Sequence, residues 1–318
     1  MLHLEFVFSA FSILRGGLMK KINRNKLMEH VQGYSFVAPA TVILGVFVYI
    51  SIVVAIYMSF HEVNLFKWTF DYIGLGNYKR IFSEDRIARA FTNTIRFVAV
   101  VAPTQTVLAL VIAAVLNSRI KFQKTFRVIY FLPTLTSSTA LTMIFMFIFS
   151  ISGPFNSIAS AMNLISEAKN WLNEPKVALS IIMVMNIWST VPYYMTIYLA
   201  ALQDIPVSLY EAAEVDGANA LQRFMNITVP HMKPITSFVF ITGLIGTFQM
   251  FDQAYIFSNG SGGPQNSTLT VALMVYQYAF SLQNDMGLAS AVAIILAIAI
   301  ILASLVANKL NKSEKLYS

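Results

Sequence analysis

The chain of 318 residues has no cysteine, four histidines and 12% charged residues. Without cysteine, neither a disulfide nor a thiolate metal site can form. His3, His30, His61 and His231 are scattered over termini and loops, and no HExxH spacing places two of them on one helix face. No GxSxG elbow occurs, and no GxxxxGK[ST] phosphate loop, so the chain is not itself a P-loop ATPase. The charged fraction is about half the roughly 25% of an ordinary soluble domain. Hydrophobic residues fill the gap at 57%, with 25 Phe and 15 Met, and the mean hydropathy is +0.64. Lipid is the solvent such a composition fits. A net charge of +7 raises the possibility of nucleic acid, but Lys and Arg also accumulate on the cytoplasmic loops of membrane proteins.

A bilayer-spanning helix needs about 20 mostly apolar residues, at 1.5 Å of rise per residue through a core about 30 Å thick. Six stretches qualify: 35–60, 93–117, 128–150, 177–201, 235–257 and 287–307. Arg96 and Asp252 are the only charges inside them. The uncharged run SNGSGGPQNSTLT after Phe257 is too rich in Gly, Pro, Asn and Ser for a span; lipid offers its backbone no partners. With both termini inside, the cytoplasmic side receives fourteen Lys and Arg and the outer side seven, which predicts an N-in, C-in topology. The outer loop 61–92 holds five of those seven and reads as an amphipathic surface element.

Residues 1–18 raise a separate question. They end in Arg15-Gly16-Gly17-Leu18, just before Met19-Lys20-Lys21. A purine-rich ribosome-binding site translated in frame gives such a sequence, so Met19 is one candidate start and Met1 the other. The apolar stretch Phe6–Leu14 lacks a small-residue cleavage site and is a poor signal peptide. The expected organisation is a cytoplasmic N-terminal segment (1–34), a six-helix transmembrane domain (35–308) and a cytoplasmic tail (309–318).

That topology puts the segment 202–234 in the cytoplasm, with four acids, Asp204, Glu211, Glu214 and Asp216, against Arg223 and Lys233. Asp204 is expected to cap a helix starting near Pro206. Gly217 supplies the left-handed residue that ends it. Asn219 restarts a second helix running to Pro230, with Leu221, Phe224, Met225 and Thr228 on one face. An acidic loop on the positive side suits a basic partner surface.

The spacing Glu211-Ala212-Ala213, Asp216-Gly217-Ala218, Phe224, Ile227, Pro230, Pro234 resembles the EAA loop of ABC-importer permeases, departing from it at Val229, where Leu is usual. Trp188, Pro192-Tyr193, Ala201-Leu202-Gln203, Ile205-Pro206, Phe251-Asp252 and Gly262-Gly263-Pro264 extend the likeness to carbohydrate permeases of the maltose type. The resemblance implies an all-α integral membrane protein with the six-helix type I importer permease fold. It implies a bacterial inner-membrane location and a transport subunit with no catalytic residue, cofactor or metal of its own; ATP and magnesium belong to a partner. The partners implied are a second homologous permease, two ATPase domains, an extracellular solute-binding protein and a small-molecule sugar, with a glycerol-3-phosphate or polyol substrate as the alternative. An ion-coupled secondary transporter, the rival from another class, would need more intramembrane charge than Arg96 and Asp252 and leaves the EAA loop unexplained.

In that family Glu211, Ala212, Ala213, Asp216, Gly217 and Phe224 belong to the coupling helix, with Glu211 pairing to a cation in the ATPase cleft and Gly217 serving the turn. The substrate path carries over as Thr190 and Tyr193 on the fourth span and Gly243, Gly246, Thr247 and Met250 on the fifth. The last four share one face by their i, i+3, i+4, i+7 spacing, although glycines at that spacing also serve bare helix packing. Asp252, on the other side of that helix and near its outer end, is expected to order the Gly262-Gly263-Pro264 loop or meet the second permease, rather than bind sugar. The Gly-Gly-Pro loop itself is expected to meet the binding protein.

Overall fold

The computed structural model describes residues 24–64, 68–118, 121–281 and 285–311. Both candidate starts, Met1 and Met19, and the final residues from 312 lie outside them. Two units divide at Ala55/Ile56. The first unit is helical from Arg24, in the long helix α1 (24–59), whose apolar span is Gln32–Ser59. Phe36, Val42, Leu44, Ile50 and Ile52 give that span an apolar surface on every side, the pattern of a helix that lives in lipid.

The second unit begins with a short antiparallel hairpin, β1 (His61–Asn64) with β2 (Thr69–Tyr72), pairing His61 with Tyr72 and Asn64 with Thr69. Helix α2 (Gly76–Ser83) follows, then α3 (Asp85–Asn117). The expected surface element is thus a hairpin and a helix. The second span starts eight residues before Asn93, because Ile87 and Ala90 already bury their side chains and the acid Asp85 suits the first turn. Helices α4 (Gln123–Leu135) and α5 (Ser138–Ile148) meet at 99°. Hydropathy predicts a span over 128–150, and the structure bends it; Pro133 removes an N–H near the end of α4, and Ser137 caps α5 by accepting from the Ala140 N–H at 3.2 Å.

After α6 (Pro154–Ala161) comes α7 (Ala178–Leu202), then α8 (Val207–Val215) and α9 (220–231) in the polar loop. The fifth span, Lys233–Phe257, is interrupted at 249–251 between α10 (Lys233–Phe248) and α11 (Asp252–Phe257). Helix α12 (271–281), which hydropathy over a full bilayer length passed over because it is too short, precedes α13 (Met286–Asn311). Among the described residues five helices are long and apolar enough to cross a membrane, six with the bent pair α4–α5 counted as one.

Helix α3 packs along α7 and α10, and α10 along α13. One apolar cluster joins Phe97, Ile182, Met185, Leu273, Met274 and Leu288. A second joins Ala109, Ala113, Met195, Tyr198, Leu202 and Met232, running toward the polar loop. Alanines on α3 let backbones approach where dispersion rather than the hydrophobic effect holds helices together.

Candidate substrate path and coupling loop

The polar loop folds as a helix–glycine–helix unit. Helix α8 starts at Val207, with Pro206 before it and no side-chain cap; Asp204 does not cap it, the fixed φ of Pro206 being suited to a helix entry without one. Gly217 has φ +79°, and behind it the Ala218 N–H reaches the Ala213 carbonyl at 2.8 Å, closing the helix end. Asn219 then restarts the chain through a reciprocal cap: its Oδ1 accepts from the Gln222 N–H (2.9 Å) and the Gln222 side chain accepts from the Asn219 N–H (2.8 Å). Tyr210 and Thr228 share a hydroxyl hydrogen bond of 2.9 Å that ties α8 to α9. Phe224, Ile227 and Val229 pack on the second apolar cluster.

What remains outward is mixed. Of the expected apolar face, Phe224 and Thr228 turn inward while Leu221 and Met225 stay exposed, together with Val207, Leu209 and Val215, the last at 88%. Glu214 pairs with Arg223 at 2.7 Å, so the loop neutralises part of its own charge. Glu211 and Asp216 are exposed and make no ion pair among the described residues. Ala212 and Ala213 keep the surface beside Glu211 flat. An exposed helix carrying apolar side chains around unpaired carboxylates is built to be covered by a partner.

In the membrane interior, the six residues expected along a substrate path divide. Tyr193 is 53% exposed, its ring edge-on to Tyr194. Gly246 is exposed with open space around it. Gly243, Thr247 and Met250 are buried: Thr247 bonds the Leu244 carbonyl of its own helix, and Met250 lies in the larger apolar cluster. Met250 leaves the wheel spacing because 249–251 is not regular helix; Gly243 is closed by Gln105 and Tyr194 opposite it, while Gly246 faces open space. Thr190 is half-buried, its Oγ1 2.8 Å from both Gln105 Oε1 and the Asn186 carbonyl; the single hydroxyl proton serves one at a time.

Gln105 was not singled out from sequence. It is 1% exposed, in the middle of α3, and its amide sits where a side chain on Gly243 would be. Asn186 on α7 in turn donates to Gln253 Oε1 (2.9 Å), the residue after Asp252. These amides and hydroxyls link α3, α7 and α11 through polar contacts that lipid cannot replace. Counting charges in a span overlooks them; uncharged polar side chains at matching depth would have been the signal.

Asp252 opens α11, where an acid suits the helix N-terminus, and it is exposed with no ion pair among the described residues. Gly262 has φ +77° and a position where a Cβ would lie 2.8 Å from that of Leu269. Around it the loop is pinned. Thr268 donates its hydroxyl to the Gly263 carbonyl at 2.7 Å, and the Gly263–Pro264 bond is cis. Asn93 donates to the Asn266 and Leu269 carbonyls, and Thr94 Oγ1 accepts from the Val271 N–H at 3.0 Å. Arg86 bonds Gln277, which reaches the Gly260 carbonyl. Nearby, burial together with the Glu84 carboxylate, which accepts from the phenol at 2.6 Å, raises the pKa of Tyr278. The Gly-Gly-Pro segment is a fixed platform, with Pro264 part-exposed on it.

A multi-pass bundle with an outward-facing helix–glycine–helix loop is the arrangement of a membrane transport component. Residues 105–315 match the family described as binding-protein-dependent transport system inner membrane component, and the chain belongs to that family. It is 35% identical over 283 residues to the lactose transport system permease protein LacF of Rhizobium radiobacter, covering 88% of this chain and 94% of that one. It is 31% identical to the multiple sugar-binding transport system permease protein MsmF of Streptococcus mutans, over 90% and 97% of the two chains. With the trehalose/maltose transport system permease protein MalF of Thermococcus litoralis it shares 31% identity, over 91% and 97%. In three dimensions it superposes on a chain of a bacterial alginate ABC transporter crystallised with an alginate-loaded periplasmic protein, with TM-score 0.76, 22% identity, and coverage of 93% and 97%. The fold is that of a type I ABC importer permease, a transport component and not an enzyme.

Proposed function

We propose that this chain is one of two permease subunits of a binding-protein-dependent ABC importer that carries a sugar, an oligosaccharide in particular, into the bacterial cell. ATP hydrolysis on two partner ATPase domains drives it, and the N-in, C-in orientation places the loop 202–234 on their side of the inner membrane. The observation that carries the reading is that loop: an EAA pattern folded as a capped helix pair, with Glu211 exposed and unpaired beside apolar side chains. The names of the relatives, lactose, multiple-sugar and trehalose/maltose permeases, support the sugar.

In this reading Glu211 enters a cleft of the ATPase and meets a cation there, while Gly217 serves the turn between α8 and α9, which move as one unit as the ATPases close. The membrane cavity then turns outward, the binding protein releases sugar into it, and hydrolysis resets the cycle. Tyr193 offers a ring face for a sugar to stack on and a phenol to bond it; Gly246 is exposed as well, Thr190 is half-buried against Gln105 one turn before Tyr193, and Gly243, Thr247 and Met250 are packed inside. Asp252 and the Gly262-Gly263-Pro264 platform serve the second permease and the binding protein. The absence of Lys and Arg from α7 and α10 beyond Lys233 favours a neutral sugar over glycerol 3-phosphate.

The test is uptake of labelled lactose, maltose, trehalose, arabinooligosaccharides and glycerol 3-phosphate by the native host with and without the gene, complemented by wild type or Glu211→Lys. Loss of one saccharide, restored by wild type only, is expected. Breaking a buried interfacial charge pair costs about 2–5 kcal/mol, enough to leave the variant membrane-inserted but uncoupled. Loss of glycerol 3-phosphate alone, or full activity of Glu211→Lys, would refute the reading.

A further inference from the structure

A groove of about 490 Å³ lies between α4 and the loop-side half of α7. Its floor is apolar, with Val128, Phe131 and Leu135 from α4 and Leu199 from α7. At its end nearest the 202–234 loop stand Arg127 and Gln203. The guanidinium of Arg127 is under-used: Nη2 reaches the Leu116 carbonyl at a long 3.4 Å, while Nε is buried without any hydrogen-bond partner. No acid answers it. Helices α4 and α7 and the second half of α3 carry none, and Asp204, next to Gln203, makes no ion pair among the described residues. Nε lies under protein atoms and is out of reach of a ligand, but Arg127 as a whole is half-buried and lines the groove. A cation without an ion pair among the described residues therefore faces that space, and charge-assisted hydrogen bonding favours an anion beside it.

The shape says what kind. From Arg127 to Leu135 the helix rises about 12 Å, close to one leaflet of a hydrocarbon core about 30 Å thick. Cation at the water end and apolar wall along the leaflet match an anionic amphiphile lying parallel to the helices. We propose that the groove holds an acidic phospholipid of the leaflet on the loop side, its phosphate on the Arg127 guanidinium and the Gln203 amide, one acyl chain along Val128, Phe131 and Leu135. Basic pockets between membrane helices select acidic head groups in this way. The lipid stands against the arm of α4 that precedes the 99° bend at 136–137, and bracing that arm ties the bend to the membrane. This inference is independent of which solute the chain carries.

The experiment uses the full-length chain purified with whatever subunits accompany it, stripped of lipid and offered equal amounts of phosphatidylglycerol and phosphatidylcholine with matched acyl chains. Native mass spectrometry counts what is retained. A single cation near a membrane surface favours the acidic lipid by about fivefold. That preference is expected in wild type and in Arg127→Lys, and is lost in Arg127→Gln. Ala200→Trp, which fills the exposed apolar wall and leaves the guanidinium in place, is expected to lose both lipids. Arg127→Gln retaining the wild-type preference would overturn the proposal. So would displacement of the lipid by inorganic phosphate alone, which would make the occupant a free anion. Cross-linking of Leu132→Cys to a second protein chain in the native membrane would make the occupant a protein and overturn it equally. Were Arg127→Gln not to fold, the lysine and tryptophan variants decide the matter.

Discussion

Gly243 and Gly246 sit one turn apart in the same helix, and the structure sets opposite expectations for them. An alanine methyl at Gly243 would lie 2.3 Å from Gln105 Nε2 and 3.4 Å from the Tyr194 hydroxyl; at Gly246 nothing comes within 4 Å. Each substitution gains about 0.5–1 kcal/mol of helix stability from the glycine it removes, so the difference between them isolates the packing. At Gly243 the Gln105 amide must leave, although it is almost fully buried and accepts from Thr190 at 2.8 Å. Overpacking costs about 1–3 kcal/mol, and the disturbed hydrogen bond about 0.5–1.5 kcal/mol more. Gly243→Ala is therefore expected to be less stable than Gly246→Ala by on the order of 2–4 kcal/mol. Thermal unfolding of the two purified variants in one detergent measures it. Gln105→Ala combined with Gly243→Ala restores room for the methyl and should recover most of the loss, since residues in contact couple strongly in a double-mutant cycle. Equal stability of the two alanine variants, or no coupling between 105 and 243, would refute the assignment of Gly243 to packing against α3.

Two further expectations concern the outer end. Gly287→Ala would place a methyl 2.0 Å from the His61 carbonyl oxygen, a backbone atom that Asn77 also holds at 2.9 Å; loss of folded protein in membranes, scored by detergent-stable chromatographic peak, is expected, and normal yield would contradict the close packing of α13 on the hairpin. Asp285 both pairs with Arg80 at 2.6 Å and caps α13 by accepting from the Leu288 N–H at 3.0 Å. Arg80 is nearly half exposed, so Arg80→Ala should cost under about 1 kcal/mol, whereas Asp285→Ala also loses a cap worth about 0.5–2 kcal/mol; melting curves that rank the two variants the other way would refute the capping role.

The helix–glycine–helix loop was legible because its determinants are local. Gly217 at a left-handed position and Asn219 with Gln222 three residues on act within a few residues, and their geometry follows whatever surrounds them. Asp204 misled for the complementary reason: a cap requires the side chain to sit immediately before the first helical turn, and Pro206 takes that place. The Gly-Gly-Pro loop showed itself in sequence as non-membrane, yet its rigidity comes from Asn93 and Thr94, far away in chain order, and from Gln277, close by but held by the distant Arg86, which only packing brings to it.

By itself the sequence determined the class of solvent, the apolar stretches long enough to cross a membrane and the helix–glycine–helix loop, since hydropathy over about 20 residues and cap chemistry are properties of contiguous stretches. Tertiary structure alone decided the bend at 136–137, the irregular turn at 249–251 and the burial of Gly243, Thr247 and Met250 beside an exposed Gly246. Each of those depends on which helix lies opposite. A helical wheel assigns faces to one helix; only the neighbour, here Gln105 of α3 against Gly243 of α10, determines which face is closed by packing and which stays open.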